Sequence, residues 1–263
     1  VQTCALPILS PDDVTRAIQA VVPHWCDTYS WTDAALAERI RADGIDILVD
    51  LAGHTQGNRL GLFARRAAPI QITGIGYPAT TGVPAMDYRL CDAITDPPDA
   101  EAWSTEALLR LDPGLHCYYP PAGSPDPSAL PAARNGFLTF GSFNKLAKVS
   151  TPTIDLWSQV LRAFPDARLV LKSKPLVEEE TCAAVRARFA KAGVAPERLS
   201  LSGWLAGDSE HMAAYQEIDI ALDTFPYNGT TTTCEALWMG VPVLTLLGQG
   251  HAARVSASLL AAV

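Results

Sequence analysis

The feature that most constrains the fold is a strand, turn, helix and strand pattern over residues 218–247. Two short apolar runs, 218–222 and 243–247, are typical of buried parallel strands. Between them Asn228-Gly229 marks a turn, and a run of four threonines (230–233) stands where a helix begins. This pattern predicts a helix that starts at the edge of a parallel sheet.

The predicted helix start has the chemistry of an anion site. Its first N–H groups have no partner within the helix and lie at the positive end of the helix dipole, which suits a phosphate. Glu235 follows Thr231 by four residues and shares its helix face, where a carboxylate can accept hydrogen bonds from ribose hydroxyls. A simpler interpretation is a threonine-rich helix start with a solvated glutamate.

Composition excludes several classes of protein. Of the 263 residues, 48% are hydrophobic and 18% are charged, which is typical of a globular chain. The net charge of −8 predicts no general affinity for nucleic acid. The six cysteines form no CxxC pair, which argues against a zinc site and a disulfide framework and favours a reducing compartment. Without a membrane-length apolar run or a signal-peptide pattern, we expect a cytoplasmic protein that does not contact membranes.

Helical stretches alternate with apolar runs along the chain, which predicts an α/β fold with parallel sheets. The first helix is expected to begin with Ser10 as its cap and Pro11 at its first position. Residues 120–135 contain five prolines, a composition typical of linkers. We therefore predict a first domain over residues 1–133 and a second, doubly wound domain over residues 134–263.

Five short motifs carry a resemblance to a known family. They occur in one order along the chain: 50–55 (DLAGHT), 68–71 (APIQ), 76–82 (GYPATTG), 143–148 (FNKLAK) and 223–229 (DTFPYNG). Together they resemble the catalytic region of the O-linked N-acetylglucosamine transferases, in the bacterial, SPINDLY-like form that usually follows tetratricopeptide repeats. The resemblance runs from about Asp12 to the last residues.

The resemblance implies a GT-B glycosyltransferase, in which two Rossmann-like domains face a cleft, here with the first domain incomplete. The implied donor is UDP-N-acetylglucosamine, bound mainly by the second domain, and the implied acceptor is a protein Ser or Thr hydroxyl. The resemblance also implies that transfer inverts the anomeric centre and needs no metal or other cofactor. A lysine and a helix N-terminus can stabilise the leaving diphosphate in place of Mg²⁺. The sequence does not indicate the oligomeric state or which proteins are the acceptors.

The resemblance also implies roles for particular residues. Lys148 matches the family lysine that contacts the diphosphate and is the candidate catalytic residue. Residues implied on the donor side are Asn144, Lys145, His211, Asn228, Gly229, Thr230, Thr231, Thr232 and Glu235, and residues implied on the sugar or acceptor side are His54, Tyr77 and Pro78. The sequence departs from animal members at Lys145, Thr230 and Glu235, where those members carry Gln, His and Asp.

One family motif, His-Pro-x-x-His, occurs nowhere in the 263 residues. In the family it supplies candidate general bases and acceptor-site groups, and it lies upstream of the part that this chain resembles. The chain does not begin with Met, and its last residues are expected to form a helix without a stop signal. We therefore expect a fragment that is inactive or nearly so on its own.

Two other interpretations fit parts of the sequence. The first is a GT-B enzyme that uses another nucleotide sugar, since the helix start and the ribose carboxylate are common to many such enzymes; motifs 76–82 and 143–148 favour the transferase named above. The second is a degenerate domain kept for binding or scaffolding. The presence of Lys148, Thr231, Thr232 and Glu235 argues against a decayed donor site.

Overall fold

The computed structural model describes residues 3–6, 11–203 and 207–263, with the backbone alone described for 3–6. The chain divides into two compact units. The first unit comprises Val1–Cys91 and Pro98–Leu111, and the second comprises Asp92–Pro97 and Asp112–Val263. The chain therefore enters the second unit, returns to the first, and then completes the second.

The first unit contains six strands and three helices within the described residues. The strands are β1 (Thr3–Leu6), β2 (His24–Asp27), β3 (Ile47–Asp50), β4 (Ile70–Thr73), β5 (Tyr88–Asp92) and β6 (Ala107–Leu111), and the helices are α1 (Asp13–Val21), α2 (Asp33–Ala42) and α3 (Leu60–Phe63). β1 and β2 form a parallel pair, while the other strands form a sheet in the order β3-β4-β5-β6. β3, β4 and β5 are parallel neighbours, as the sequence predicts.

Local sequence explains how the first two helices begin. Asp12 is the N-cap of α1, because its carboxylate accepts a hydrogen bond from the Thr15 N–H at 2.7 Å. The predicted cap Ser10 lies outside the described residues. Thr32 caps α2 through the Ala35 N–H. The buried core of this unit packs α2 against α3, with members that include Leu36, Ala37, Ile40, Leu62, Phe63 and Met86.

The second unit is a five-stranded parallel sheet with helices between its strands. The strands are β7 (Thr139–Ser142), β8 (Arg168–Lys172), β9 (Leu199–Ser202), β10 (Ile220–Leu222) and β11 (Val243–Leu244), and the helices are α4 (Pro131–Asn135), α5 (Thr151–Ala163), α6 (Glu179–Lys191), α7 (Asp208–Ala213), α8 (Thr231–Trp238) and α9 (Val255–Ala261). The order is β11-β10-β7-β8-β9. The sheet therefore grows outward in both directions from β7, which is the doubly wound pattern.

Two clusters of buried side chains fill the second unit. The larger includes Trp157 and Leu161 of α5, Leu169 of β8 and Phe189 of α6, each at most 2% exposed. The smaller joins Phe143, Met212, Tyr215 and Ala236, which lie around α7 and α8. Because side chains of α7 and α8 share this cluster, packing fixes the position of the α8 start against the sheet.

The proline-rich segment lies in the second unit and is not a boundary between the units. The predicted division at 133/134 differs from the structure, where the last crossing follows Leu111. Carbonyl groups of the segment accept hydrogen bonds from the second unit: Gly123 from the Ser209 hydroxyl at 3.0 Å, and Asp126 from the Gln216 amide at 2.8 Å. These bonds hold the segment along the second unit.

In the part of the chain that the structure describes, no helix is long and apolar enough to cross a membrane.

Candidate functional site

The candidate site lies where the strand order of the second unit reverses. β7 pairs in parallel with β8 on one side and with β10 on the other. In open parallel sheets, ligands bind beside the carboxyl ends of the two strands at this point. Phe143 and Asn144 follow β7 directly, and Asp223 follows β10. Motifs 143–148 and 223–229 therefore meet at one edge of the sheet.

Asp223 organises the loop that joins β10 to α8. Its Oδ1 accepts hydrogen bonds from the backbone N–H of Thr224 at 2.8 Å and of Gly229 at 2.7 Å. Its Oδ2 accepts from the Thr245 hydroxyl at 2.8 Å. Burial raises the pKa of this carboxyl, and the hydrogen bonds act against the rise. The loop therefore closes around the buried Asp223 carboxylate, and the hydrogen bond to Asp223 holds Gly229 at the start of α8.

The start of α8 carries the predicted threonines. Thr230 is the N-cap, its side chain makes no capping hydrogen bond, and its carbonyl accepts from the Thr233 N–H at 3.1 Å. Thr231 is exposed and Thr232 is half-buried. Gly229 is required for the close approach of the loop, because a Cβ there would stand 2.3 Å from Thr232 Oγ1. The hydroxyls and the helix N-terminus are therefore concentrated in one turn.

Two asparagines line this helix start. Asn144 is buried, and its Oδ1 accepts a hydrogen bond from the Thr232 hydroxyl at 3.1 Å. Asn228 is 1% exposed and donates through Nδ2 to the Thr224 carbonyl at 2.9 Å. Among the described residues, Asn228 Oδ1 is buried without a hydrogen-bond partner. An unsatisfied buried acceptor is uncommon and requires an explanation in structure or function.

Lys148 brings a positive charge to the same loop. It ends the 3-10 turn Leu146–Lys148 after β7. Its ammonium donates to the Asn228 carbonyl at 2.7 Å and lies 3.9 Å from the centre of the Tyr227 ring. Burial lowers the pKa of Lys148 to about 8, although the nearby Asp223 carboxylate acts in the opposite direction. The side chain is therefore mainly cationic at neutral pH and lies beside the residues that lead into α8.

Lys145 differs from the rest of this group because its side chain is exposed. Its carbonyl accepts from the Lys148 N–H at 2.8 Å, which closes the 3-10 turn. A donor contact by the Lys145 side chain stays a prediction. The predicted donor-side residues found around the start of α8 are Asn144, Lys148, Asn228, Gly229, Thr230, Thr231 and Thr232.

The other predicted donor-side residues, His211 and Glu235, belong to a buried chain of hydrogen bonds. His211 Nε2 donates to Glu235 Oε2 at 2.9 Å, and the Tyr215 hydroxyl donates to the same oxygen at 2.9 Å. On the other side of the imidazole, the Lys172 ammonium donates to His211 Nδ1. Burial lowers the pKa of Lys172 and raises the pKa of Tyr215 well above its ordinary value. Glu235 is 8% exposed, so the interpretation of a solvated glutamate is wrong.

Sequence reasoning did not identify Lys172, Tyr215 or the organising role of Asp223. Lys172 carried a usable signal, because a charged residue that ends an apolar strand run lies at the edge where ligands bind. Asp223 begins the 223–229 motif, but the motif alone does not indicate that this residue organises the loop. Tyr215 carried no signal, since an aromatic residue on a helix is ordinary core composition.

The predicted sugar- or acceptor-side residues all lie in the first unit. His54 is exposed, its Nε2 donates to the Thr81 carbonyl at 2.8 Å, and its ring meets Tyr77 edge to face at 5.2 Å. Pro78 is half-buried in the loop after β4. Nearby, Glu106 accepts from the Thr81 N–H at 2.8 Å; burial opposes its ionisation, but such hydrogen bonds lower its pKa to about 2. The functional roles of these residues stay predictions.

Groups of three or more side chains able to hold a metal ion are absent from residues 11–203 and 207–263.

Known proteins resemble this chain in sequence and in structure. A protein of Oryza sativa subsp. japonica, named as a probable UDP-N-acetylglucosamine–peptide N-acetylglucosaminyltransferase SPINDLY, is 46% identical over 240 residues, which is 90% of this chain and 26% of the relative. A mutant of the Thermobaculum terrenum O-GlcNAc transferase superposes with a TM-score of 0.93 at 41% identity, over 98% of this chain and 49% of that chain. Sucrose-phosphate synthase from Thermosynechococcus elongatus is similar in fold alone, with a TM-score of 0.51 at 11% identity over 80% of this chain and 59% of that chain.

These similarities and the parallel sheets define an α/β fold of the GT-B glycosyltransferase class, which confirms the predicted fold class. The sequence profile of glycosyl transferase family 41 matches residues 5–112 and 130–263. The chain belongs to glycosyl transferase family 41. It spans about a quarter of the length of the curated relatives that it matches.

Proposed function

We propose that this protein is a glycosyltransferase that moves N-acetylglucosamine from UDP-N-acetylglucosamine to Ser or Thr hydroxyls of proteins. Membership of the family and the names of its relatives support the donor and the peptide acceptor. The observation that carries the proposal is the Lys148 ammonium, 2.7 Å from the carbonyl of Asn228 and beside the start of α8. An ammonium and a helix N-terminus at one point form a site for a diphosphate.

The chemical role of this site follows from where charge develops. When the sugar leaves, negative charge grows on the diphosphate, and donors already aimed at that charge lower the barrier. Lys148 supplies a full positive charge, and the first turn of α8 supplies backbone N–H groups and threonine hydroxyls. Together they can stabilise the leaving group without a metal ion, and no other cofactor enters the proposal. Inversion of the anomeric centre is part of the same proposal and follows from the family.

The carboxylate of Glu235 is proposed to accept hydrogen bonds from the ribose of the donor. His211 and Tyr215 already bond to its Oε2, so the carboxylate is held in one orientation before a ligand arrives. A carboxylate that does not need to reorganise binds a diol with a smaller entropic cost.

The proposed compartment is the cytoplasm, and nucleic acid and membranes are not proposed partners. Among the described cysteines, Cys26, Cys117, Cys182 and Cys234 are free thiols, which fits a reducing environment. The net charge of −8 opposes binding to a phosphate backbone.

Donor binding is the readout that tests the proposal. The sequence contains no His-Pro-x-x-His motif, so we expect this polypeptide to bind donor and to transfer sugar slowly or not at all. Calorimetry in EDTA compares UDP-N-acetylglucosamine with UDP-glucose, ADP-heptose and a GDP-linked sugar. We expect UDP-N-acetylglucosamine to bind most tightly, and Lys148→Met to weaken it about tenfold or more.

A matched control is Lys191→Met, because Lys191 is exposed in the last turn of α6. Removing that charge should leave donor affinity unchanged. Tighter binding of another nucleotide sugar would replace the proposed donor by a different one. If none of the four binds, or if Lys148→Met binds as the wild type does, the proposed site is wrong.

A further inference from the structure

Lys172 is a buried cation that the proposed transfer chemistry does not use. It is the last residue of β8, the strand beside β7, and it is 7% exposed. A buried ammonium is costly unless another group compensates its charge and accepts its hydrogen bonds. The groups around Lys172 therefore indicate why the charge is retained.

The bond between Lys172 and His211 fixes which ring nitrogen carries a proton. An ammonium can only donate, so His211 Nδ1 must present its lone pair to Lys172. The proton of the neutral imidazole is then on Nε2, which faces Glu235 Oε2 at 2.9 Å. This tautomer lets the imidazole donate to the carboxylate, whereas the other tautomer would place two lone pairs against each other.

The same arrangement uses one oxygen of Glu235 and leaves the other outside these bonds. His211 Nε2 and the Tyr215 hydroxyl both donate to Oε2, and Tyr215 is 1% exposed. Oε1 takes part in neither bond. Lys172 also balances the charge of Glu235, since the carboxylate acts to raise the pKa of the lysine while burial lowers it.

We propose that Lys172 is a positioning residue for nucleotide recognition, which acts through the imidazole of His211 to hold Glu235 with Oε1 presented to the ribose hydroxyls. This inference rests on the proposed function, because it requires a ribonucleotide at the site. Lys172 bonds to His211, which bonds to Glu235, so its effect is transmitted by the tautomer of His211.

The test compares how strongly each variant depends on the ribose hydroxyls. Calorimetry measures UDP and 2′,3′-dideoxy-UDP on the wild type, Lys172→Met, Lys172→Arg and the exposed control Lys191→Met. We expect the wild type and Lys191→Met to prefer UDP about tenfold or more, since a hydrogen bond to a charged group is lost with the hydroxyls. Lys172→Met should bind both nucleotides with similar affinity, and Lys172→Arg should recover much of the preference.

A second readout follows the tautomer of His211 directly. Nitrogen NMR of the His211 ring should show a proton on Nε2 alone in the wild type. In Lys172→Met, where the Glu235 carboxylate selects the tautomer without help from a donor at Nδ1, the share of rings that carry a proton on Nδ1 should rise. Lys172→Leu, which likewise removes the donor to Nδ1, replaces Lys172→Met if the latter fails to fold.

The outcomes separate this inference from the proposed function. If the wild type prefers UDP and Lys172→Met keeps the full preference, the positioning role of Lys172 is wrong and the donor site stands. A wild type that binds UDP and the dideoxy nucleotide equally also overturns the role assigned to Lys172. If the wild type binds no nucleoside diphosphate, the proposed function fails and this inference fails with it.

Discussion

Single residues at this site are placed for binding at the expense of stability. Lys148 has a pKa of about 8 because burial disfavours its charged form. Glu235 and Lys172 are buried charges separated by an imidazole. Apolar residues of similar size would avoid these desolvation costs, so a ligand that needs the charges is the simplest explanation for their presence.

The pKa of Lys148 predicts how donor affinity changes with pH. The ammonium loses its proton as the pH rises through about 8, so UDP should bind with constant affinity near pH 7 and more weakly toward pH 9.5. Between about pH 8 and the ordinary value of 10.5, the unfolded chain holds a proton that the folded chain has lost. The free energy of unfolding contributed by Lys148 should therefore rise with pH in that window. Calorimetric titrations of wild type and Lys148→Met, which should lack this pH dependence, provide the measurement.

Removing the Glu235 carboxylate should destabilise the fold as well as the site. Glu235→Ala leaves the Tyr215 hydroxyl without its acceptor and the Lys172 charge without compensation, at a cost of about 1–3 kcal/mol in the free energy of unfolding. Glu235→Gln keeps an acceptor and should cost less. Urea denaturation at pH 7 measures both, and an alanine variant as stable as the wild type would contradict the buried network.

At the scale of elements, the loop from Asp223 to Gly229 and the start of α8 act as one structure. The loop closes on Asp223, and Gly229 packs against the hydroxyls of the first helical turn. The cap position itself is filled by Thr230, whose side chain makes no capping bond. The helix start is thus positioned by tertiary contacts and not by its own cap.

The close approach at Gly229 gives a prediction for this element. In Gly229→Ala, the new Cβ would lie 2.3 Å from Thr232 Oγ1 and 3.1 Å from Asn144 Oδ1, so the helix start must shift. We expect a loss of about 1–3 kcal/mol in stability together with weak or absent UDP binding. Thermal denaturation and calorimetry measure the two effects.

Gly207→Ala is the matched control, because a Cβ at Gly207, the N-cap of α7, meets none of the residues that the structure describes within 4 Å. That variant should stay within about 0.5 kcal/mol of the wild type and bind UDP normally. Equal effects of the two substitutions would show that the contacts at Gly229 do not matter.

The elements that sequence predicted best are those that a local pattern determines. The run of hydroxyl residues predicts a helix that begins there, and the structure has α8 from Thr231 to Trp238. The strand expected over 243–247 is only Val243–Leu244. β1 and β2 were missed, since strands of four residues carry too few positions to show a period.

At the scale of the whole molecule, the second unit depends on a short segment that precedes most of it in sequence. Asp92 accepts hydrogen bonds from the Leu115 N–H at 3.2 Å and the Ser258 hydroxyl at 2.7 Å. Asp96 pairs with His251 at 2.5 Å. These hydrogen bonds join residues 92–97 to the rest of the second unit. In sequence, residues 92–97 lie between the two segments of the first unit.

Because Asp92 bonds to residues distant in sequence, we predict that replacing it lowers the stability of the whole second unit. Asp92→Ala removes acceptors from Thr95, Leu115 and Ser258, and should lower the free energy of unfolding by about 2–4 kcal/mol. Asp92→Asn keeps one acceptor oxygen and should cost less. Asp166→Ala, at an exposed position, is the control, and denaturation of all three in parallel is the measurement. Equal stability of Asp92→Ala and the control would show that the hydrogen bonds of Asp92 do not stabilise the second unit.

Long-range contacts explain what sequence could not predict at this scale. Residues 120–135 have the composition of a linker, yet carbonyls at Gly123 and Asp126 accept bonds from side chains more than 80 positions away. Lys172 and Glu235 are linked by hydrogen bonds to His211, a third residue on another helix. The class of fold was predictable because motifs and the alternation of strands and helices are local features of the sequence, and most of the residues predicted on the donor side lie around the start of α8. The unit boundary and the buried network depend on distant residues and were not predictable.

The central claim is that a nucleoside diphosphate binds at the start of α8 with Lys148 as its cation. A crystal structure of the protein with UDP tests it most directly. The account predicts phosphate oxygens within about 3.2 Å of the Lys148 ammonium and of N–H groups or hydroxyls at Thr231 and Thr232. A bound nucleotide whose phosphates lie elsewhere, with the ammonium still on the Asn228 carbonyl and α8 uncontacted, would contradict it.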